Sequence, residues 1–141
     1  MSKARSRARR LAVQAVYEWQ MSQSDANGIR KHHLASEEAN KADKDYFTSL
    51  FNGVVKNIET LDAEITPMLN RPYEEVDMVE KAILRLSTFE FMHHPEVPYK
   101  VVINEAVELT KIFGGEQGHK FVNGILDKLA IKLRSSEIGA A

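Results

Sequence analysis

A dense basic run lies near the start of the sequence, and cations at this density are typical of segments that bind phosphate groups. Five positive charges precede the first acidic residue, Glu18: Lys3, Arg5, Arg7, Arg9 and Arg10. A solvated, disordered tail would have the same composition. The direct continuation of the run into a helical pattern favours phosphate binding.

The helix that continues from the run presents three side chains suited to RNA. At about 100° per residue, apolar side chains from Ala8 to Trp19 share one face, and Arg10, Gln14 and Tyr17 lie on the other. Arginine can bind a phosphate, glutamine can hydrogen-bond to a base edge, and tyrosine can stack on an unpaired base. Alternatively, Tyr17 covers a neighbouring helix.

Patterns that usually carry catalysis are missing from the sequence. It has no cysteine, no H-E-x-x-H and no G-x-S-x-G, so the common thiol, metal and serine sites are not predicted. The glycine-rich segment 114–121 is not a P-loop, because Lys120 precedes Phe121 instead of serine or threonine. Lys120 and a helix start could still attract an oxyanion. We expect no enzymatic activity, metal or cofactor.

Charge is distributed unevenly along the chain. The formal net charge is −1, but residues 1–17 carry +5 and the remainder −6. Nucleic-acid binding depends on local contacts, so the near-neutral total is compatible with it. The lack of cysteine suits a reducing compartment, and no apolar run reaches the ~18 residues of a membrane span. These features predict a soluble cytoplasmic protein that does not associate with membranes.

Apolar residues recur at spacings of three and four along most of the chain, which predicts an all-α fold of about seven helices in two small packed bundles. The boundary between the two halves is predicted at Arg71-Pro72, because a residue before proline is pushed out of helical geometry. One domain is expected over residues 1–141, with a basic arm at 1–8 and helical halves at 9–71 and 72–141.

Three local signals add detail to this fold. Gly114 and Gly115 are predicted to end a helix with a left-handed cap. His32 and His33 are predicted at the surface, because neither has a second ligand at helical spacing. Asp77 is predicted to cap a helix that ends near His93.

The helix after Asp77 has a second, partly apolar arc beside its core-facing one. Its members are Glu80, Leu84, Ser87 and Phe91. Such an arc can pack against a neighbouring helix of the same chain or dock another protein, and the residues alone do not separate these alternatives.

Three segments resemble the NusB family of bacterial transcription antitermination factors. They are RxxAVQAVYEWQ at 9–20, VPYKVVINEAVEL at 97–109 and HKFVNGILDKL at 119–129. The resemblance covers nearly the whole chain, and residues 24–44 match least. It implies an all-helical, non-catalytic protein of the NusB type.

The resemblance also implies a function and a set of site residues. Family members bind single-stranded boxA RNA together with the small-subunit ribosomal protein NusE, and join an RNA polymerase elongation complex with other Nus factors, notably during rRNA transcription. At matching positions the basic arm, Gln14 and Tyr17 would contact RNA, joined by Lys120, Phe121 and Asn123. The arc of Glu80, Leu84, Ser87 and Phe91 would belong to the surface that binds the protein partner.

Two other classes of function stay open at this stage. One is a helical protein-interaction module in which the basic run is an incidental tail. The other is a reader of double-stranded DNA, which is disfavoured because no helix-turn-helix spacing with a basic second helix is evident.

Overall fold

The computed structural model describes residues 2–139, and all regular structure in this range is helical. The α-helices are α1 (Lys3–Ser22), α2 (Ala26–Leu34), α3 (Lys44–Lys56), α4 (Ile58–Ile65), α5 (Met78–His93), α6 (Tyr99–Phe113), α7 (Gly118–Leu133) and α8 (Ser135–Ile138). Short 3₁₀ helices span Glu37–Lys41, Thr66–Met68 and Tyr73–Glu75. The all-α prediction is confirmed, and the seven longest helices, α1 to α7, agree with the predicted number of about seven. The ends of the predicted domain, residue 1 and residues 140–141, lie outside the described residues.

The chain divides into two compact units, Met1–Asn57 and Ile58–Ala141. The predicted boundary at Arg71-Pro72 lies later in the sequence, because proline marks a local break in helical geometry whereas packing decides which helices form a unit. Helix α4 precedes that break but packs against α5, so it belongs to the second unit. The single-domain organisation stays a prediction.

Helix α1 includes most of the predicted basic arm, which is therefore helical. Ser2 precedes the helix, and its hydroxyl accepts a hydrogen bond from the Arg5 N–H at 3.2 Å. At the other end, Gln23 adopts a left-handed conformation (φ 53°) and donates its N–H to the carbonyl oxygen of Trp19. These two caps satisfy backbone groups that a helix end leaves unpaired.

The first unit is built on the apolar face of α1, which packs against α2, α3 and the 3₁₀ helix Glu37–Lys41. Leu11 and Val16 of α1 and Phe47 and Phe51 of α3 are almost completely buried. The prediction of surface histidines holds for His32, which is exposed, and only partly for His33, whose side chain is 12 % exposed. Its ring lies near Phe47, and its Nε2 lies 3.0 Å from the Glu18 carboxylate.

Helix α5 is the centre of the second unit and packs against α4, α6 and α7. The Asp77 carboxylate caps it by accepting the N–H groups of Val79 and Glu80, as predicted. Arg85 of α5 donates two hydrogen bonds to the Asp62 carboxylate of α4, at 2.9 and 2.8 Å. Together these contacts fix the start and the middle of the central helix.

Arg134 closes the C-terminal end of α5. Its side chain is 6 % exposed, and its Nε donates to the carbonyl oxygen of Phe91 at 2.9 Å. That oxygen would normally bond to the N–H four residues later, which is Pro95 and has none. Other guanidinium nitrogens donate to the carbonyl oxygens of Val97 and His94, both at 2.9 Å. One arginine therefore supplies the donors for carbonyl oxygens at the end of α5 and in the turn after it.

The predicted left-handed cap at Gly114 is wrong. Gly114 is extended (φ −98°, ψ −175°), and glycine is needed there because a Cβ atom would lie 2.8 Å from the carbonyl oxygen of Thr110. Close approach of the backbone, not a positive φ, explains why glycine stands at this position.

None of the helices within residues 2–139 is long and apolar enough to cross a membrane.

Candidate nucleic-acid interface

The predicted RNA stripe on α1 is present as a row of solvent-accessible side chains. Arg10 is exposed, Gln14 is half-buried and Tyr17 is 37 % exposed. Arg7 and Lys3 are exposed on the same helix, about one and two turns before Arg10. The stripe therefore offers cations, an amide and an aromatic ring, the groups that contact single-stranded nucleic acid.

The five predicted cations of the basic run do not share one environment. Arg9 is 2 % exposed, and its guanidinium carbon lies 5.3 Å from the centroid of the Tyr46 ring. Arg5 is half-buried, 4.2 Å from the same centroid and 3.9 Å from the Asp43 carboxylate. Burial argues against a phosphate contact for Arg9, whereas Lys3, Arg7 and Arg10 are exposed and Arg5 stays partly accessible beside Asp43.

The 3₁₀ helix Glu37–Lys41 adds a recess beside α1, in a region to which the sequence assigned no role. The recess has a volume of about 280 Å³ and is lined by Arg7, Arg10, Glu37, Glu38, Asn40 and Lys41. Gln14 Nε2 donates a hydrogen bond to Glu38 Oε2 at 3.1 Å. The recess thus joins the predicted stripe through a direct side-chain contact.

The predicted residues at the start of α7 form a second cluster, in the second unit. Lys120 and Asn123 are exposed, and Phe121 is half-buried. The guanidinium carbon of Arg71 lies 4.1 Å from the centroid of the Phe121 ring. Sequence reasoning missed Arg71 as a functional candidate, because it stands outside any helical pattern and only its proline neighbour gave a signal.

Acidic side chains border this second cluster. Arg71 and Glu80 approach to 3.9 Å, and both line a cleft of about 540 Å³ with Glu75 and Asp77. Burial, followed by the nearby Asp77 carboxylate, raises the pKa of Glu80 above its ordinary value, and Arg71 opposes the shift. The cleft therefore combines one stacked cation with carboxyl groups, a mixture able to contact both phosphates and base amino groups.

Comparison with known proteins identifies the family to which this helical arrangement belongs. A sequence model of the NusB family matches residues 6–131. The chain belongs to the NusB family. The fold prediction and the resemblance of the three sequence segments are thereby confirmed.

Individual NusB relatives are similar over nearly their full length. The transcription antitermination protein NusB of Pseudoalteromonas atlantica is 52 % identical over 135 residues, which cover 96 % of each chain. That of Alcanivorax borkumensis is 48 % identical over 134 residues, covering 95 % of this chain and 89 % of the relative. A crystal structure of the antitermination factors NusB and NusE in complex with dsRNA superimposes with a TM-score of 0.80 at 28 % identity, covering 92 % of this chain and 97 % of that chain.

The arc that the NusB resemblance assigned to a protein partner faces inward. Glu80, Leu84, Ser87 and Phe91 have exposed fractions between 0 and 8 %. Of the two alternatives that the sequence left open, burial favours packing within the chain, because α5 lies among α4, α6 and α7. The role of these four residues in partner binding stays a prediction.

Proposed function

We propose that the chain is a transcription antitermination factor that binds boxA-type single-stranded nascent RNA together with the ribosomal protein NusE. In this role it joins an RNA polymerase elongation complex with other Nus factors, notably during rRNA transcription, and works in the cytoplasm without catalysis. The names of its relatives and the related NusB–NusE–RNA complex support the proposal.

One observation carries the RNA-binding part of the proposal: the accessible side chains of α1 form a continuous row of phosphate, base-edge and stacking groups. Arg10, Gln14 and Tyr17 provide the three kinds of contact. Lys3 and Arg7 extend the row toward the helix start, and Lys120, Phe121 and Asn123 supply a second set on α7. The alternative of an incidental basic tail is disfavoured, because the cations from Lys3 to Arg10 belong to α1.

A binding titration tests the proposal directly. Labelled boxA-like single-stranded RNA, the same sequence as duplex RNA, and duplex DNA are titrated with the protein, each with and without NusE. We expect tightest binding to single-stranded RNA with NusE present. The duplex arm is informative because the related complex contains dsRNA. Absence of RNA binding with and without NusE would overturn the proposal.

Salt dependence supplies a second measurement. Each phosphate contact to a single strand contributes about −0.7 to the slope of log affinity against log salt concentration. Replacing Arg7 and Arg10 together by alanine should therefore flatten the slope by roughly one unit or more. An unchanged slope would remove α1 from the RNA interface, and stronger binding to duplex DNA would favour a DNA reader instead.

A further inference from the structure

The side chains of Gln14 and Glu38 are joined in a way that fixes which atom of the Gln14 amide faces a ligand. Gln14 Nε2 donates to Glu38 Oε2 at 3.1 Å and to the main-chain oxygen of Arg10 at 3.2 Å. A carboxylate and a carbonyl oxygen can only accept hydrogen bonds, so the amide nitrogen must point toward them. Both of its N–H groups are then used, and Gln14 Oε1 is the polar atom of the amide left to accept a further hydrogen bond.

Glu38 is held in place by the 3₁₀ helix that carries it. Ala39, the next residue, is completely buried, and its N–H donates to the Ser36 carbonyl oxygen. The Asp43 N–H donates to the carbonyl oxygen of Ala4 in α1 at 2.9 Å, which ties the end of this segment to the basic helix. The segment is therefore anchored at Ala39 and at its end, which places the backbone of Glu38 beside α1 before any ligand arrives.

The Glu38 carboxylate makes the pair itself better suited to a base than to a phosphate. Glu37 and Glu38 both line the recess, and two carboxylates repel a phosphate group. A base amino group is a hydrogen-bond donor that carboxylate and amide oxygens accept well. Arg7, Arg10 and Lys41 line the same recess and can hold the adjoining backbone.

We propose that Gln14 and Glu38 form a base-selecting subsite that accepts a base with an exocyclic amino group and rejects uracil. Gln14 Oε1 and the Glu38 carboxylate present acceptors only, which suit the amino groups of adenine, cytosine and guanine. Uracil has no amino group, and its single N–H lies between two carbonyl oxygens that these acceptors repel. The inference rests on the proposed binding of RNA by α1 and adds the base preference and the residue that sets it.

The test uses a series of boxA-like single-stranded RNAs in which each base other than uracil is replaced in turn by uracil. For the unmodified protein, one position should show a loss of affinity of roughly tenfold. In Glu38→Gln the carboxylate is replaced by an amide that can donate to a uracil carbonyl oxygen as well as accept, while the Arg10 oxygen still holds Gln14 Nε2. We expect the penalty at that one position to fall below about threefold, with the penalties elsewhere unchanged.

Glu37→Gln is the matched control, since it removes the same charge from the same recess without touching the Gln14 contact. It should tighten binding to all RNAs alike and leave the uracil penalty unchanged. In a Gln14→Ala background, Glu38→Gln should change the uracil penalty less than it does in the unmodified protein, because the two residues present their acceptors together.

The two proposals fail differently. If the unmodified protein binds RNA but Glu38→Gln changes affinity equally at all positions, as Glu37→Gln does, the subsite is refuted and RNA binding stands. If the unmodified protein binds none of the RNAs, the proposed function is refuted, and the subsite with it.

Discussion

Arg71 stacks its guanidinium on the ring of Phe121, with 4.1 Å between the guanidinium carbon and the ring centroid. The same guanidinium lies 3.9 Å from the Glu80 carboxylate. A cation held between an aromatic face and a carboxylate keeps its orientation while 41 % of its side chain stays accessible. This relationship turns an apparently isolated arginine before a proline into a candidate RNA contact.

Arg71→Ala should weaken RNA binding about three- to thirtyfold, because it removes a stacked, preorientated cation. Arg71→Lys should recover only part of the loss, since an ammonium group lacks the planar donors of arginine. Lys111→Ala, which removes an exposed cation of the same unit, is the control and should have little effect. Equal losses for Arg71→Ala and Lys111→Ala would show only a general effect of charge.

Arg9 and Arg10 are neighbours in sequence with opposite environments, so their alanine variants should differ. Arg10→Ala should weaken RNA binding and flatten its salt dependence with little change in stability, because the side chain is exposed. Arg9→Ala should lower the free energy of unfolding by about 1 to 3 kcal/mol, since it removes a buried side chain packed on Tyr46. Urea unfolding and RNA titration of both variants test these expectations. Loss of stability in Arg10→Ala and loss of RNA affinity alone in Arg9→Ala would contradict the structure.

The buried Glu80 carboxyl should make stability fall as the pH rises. Its folded-state pKa is raised above 4.5, so ionisation is easier in the unfolded chain. The contribution of Glu80 to stability is therefore fully present below pH 4.5 and is lost as the pH increases from 4.5 through the raised pKa. Glu80→Gln should remove this component, which urea unfolding across that pH range would measure. Identical pH profiles for the two proteins would disprove it.

Two glycines of α7 should respond differently to alanine. A Cβ atom at Gly124 meets nothing within 4 Å, so Gly124→Ala should raise the free energy of unfolding by about 0.5 to 1 kcal/mol. At Gly118 a Cβ atom would lie 2.6 Å from Glu80 Oε2 and 3.1 Å from Thr110 Cγ2. Gly118→Ala should therefore leave the free energy of unfolding unchanged or lower it. A gain equal to that of Gly124→Ala would refute the close approach.

Arg134 should be among the most sensitive positions for stability. Arg134→Ala leaves the carbonyl oxygens of Phe91 and Val97 without their donor and should cost about 3 kcal/mol or more. Arg134→Lys should restore only part of the lost stability, since one ammonium group cannot reach all the carbonyl oxygens that the guanidinium group contacts. Lys111→Ala, which breaks an exposed pair, should cost less than about 0.5 kcal/mol by the same urea measurement.

Much of the fold could be predicted because helical periodicity and helix caps are local properties. The spacing of apolar residues predicted the all-α fold and the approximate number of helices, and Asp77 was identified as a cap from its position alone. The short helix α8 and the extended Gly114 were not predicted, because neither has a periodic or compositional signal. The division after Asn57 was also missed, since it depends on which helices α4 packs against.

The sequence by itself determined an all-helical member of the NusB family with a basic first helix, because these properties depend on residues close together in the chain. Only the tertiary structure decided which cations are accessible: Tyr46 covers Arg9, and Phe121 supports Arg71. It also brought Glu38 to Gln14 and buried the arc of Glu80 and Leu84. Burial and pairing depend on partners far away in sequence, so no local pattern could have specified them.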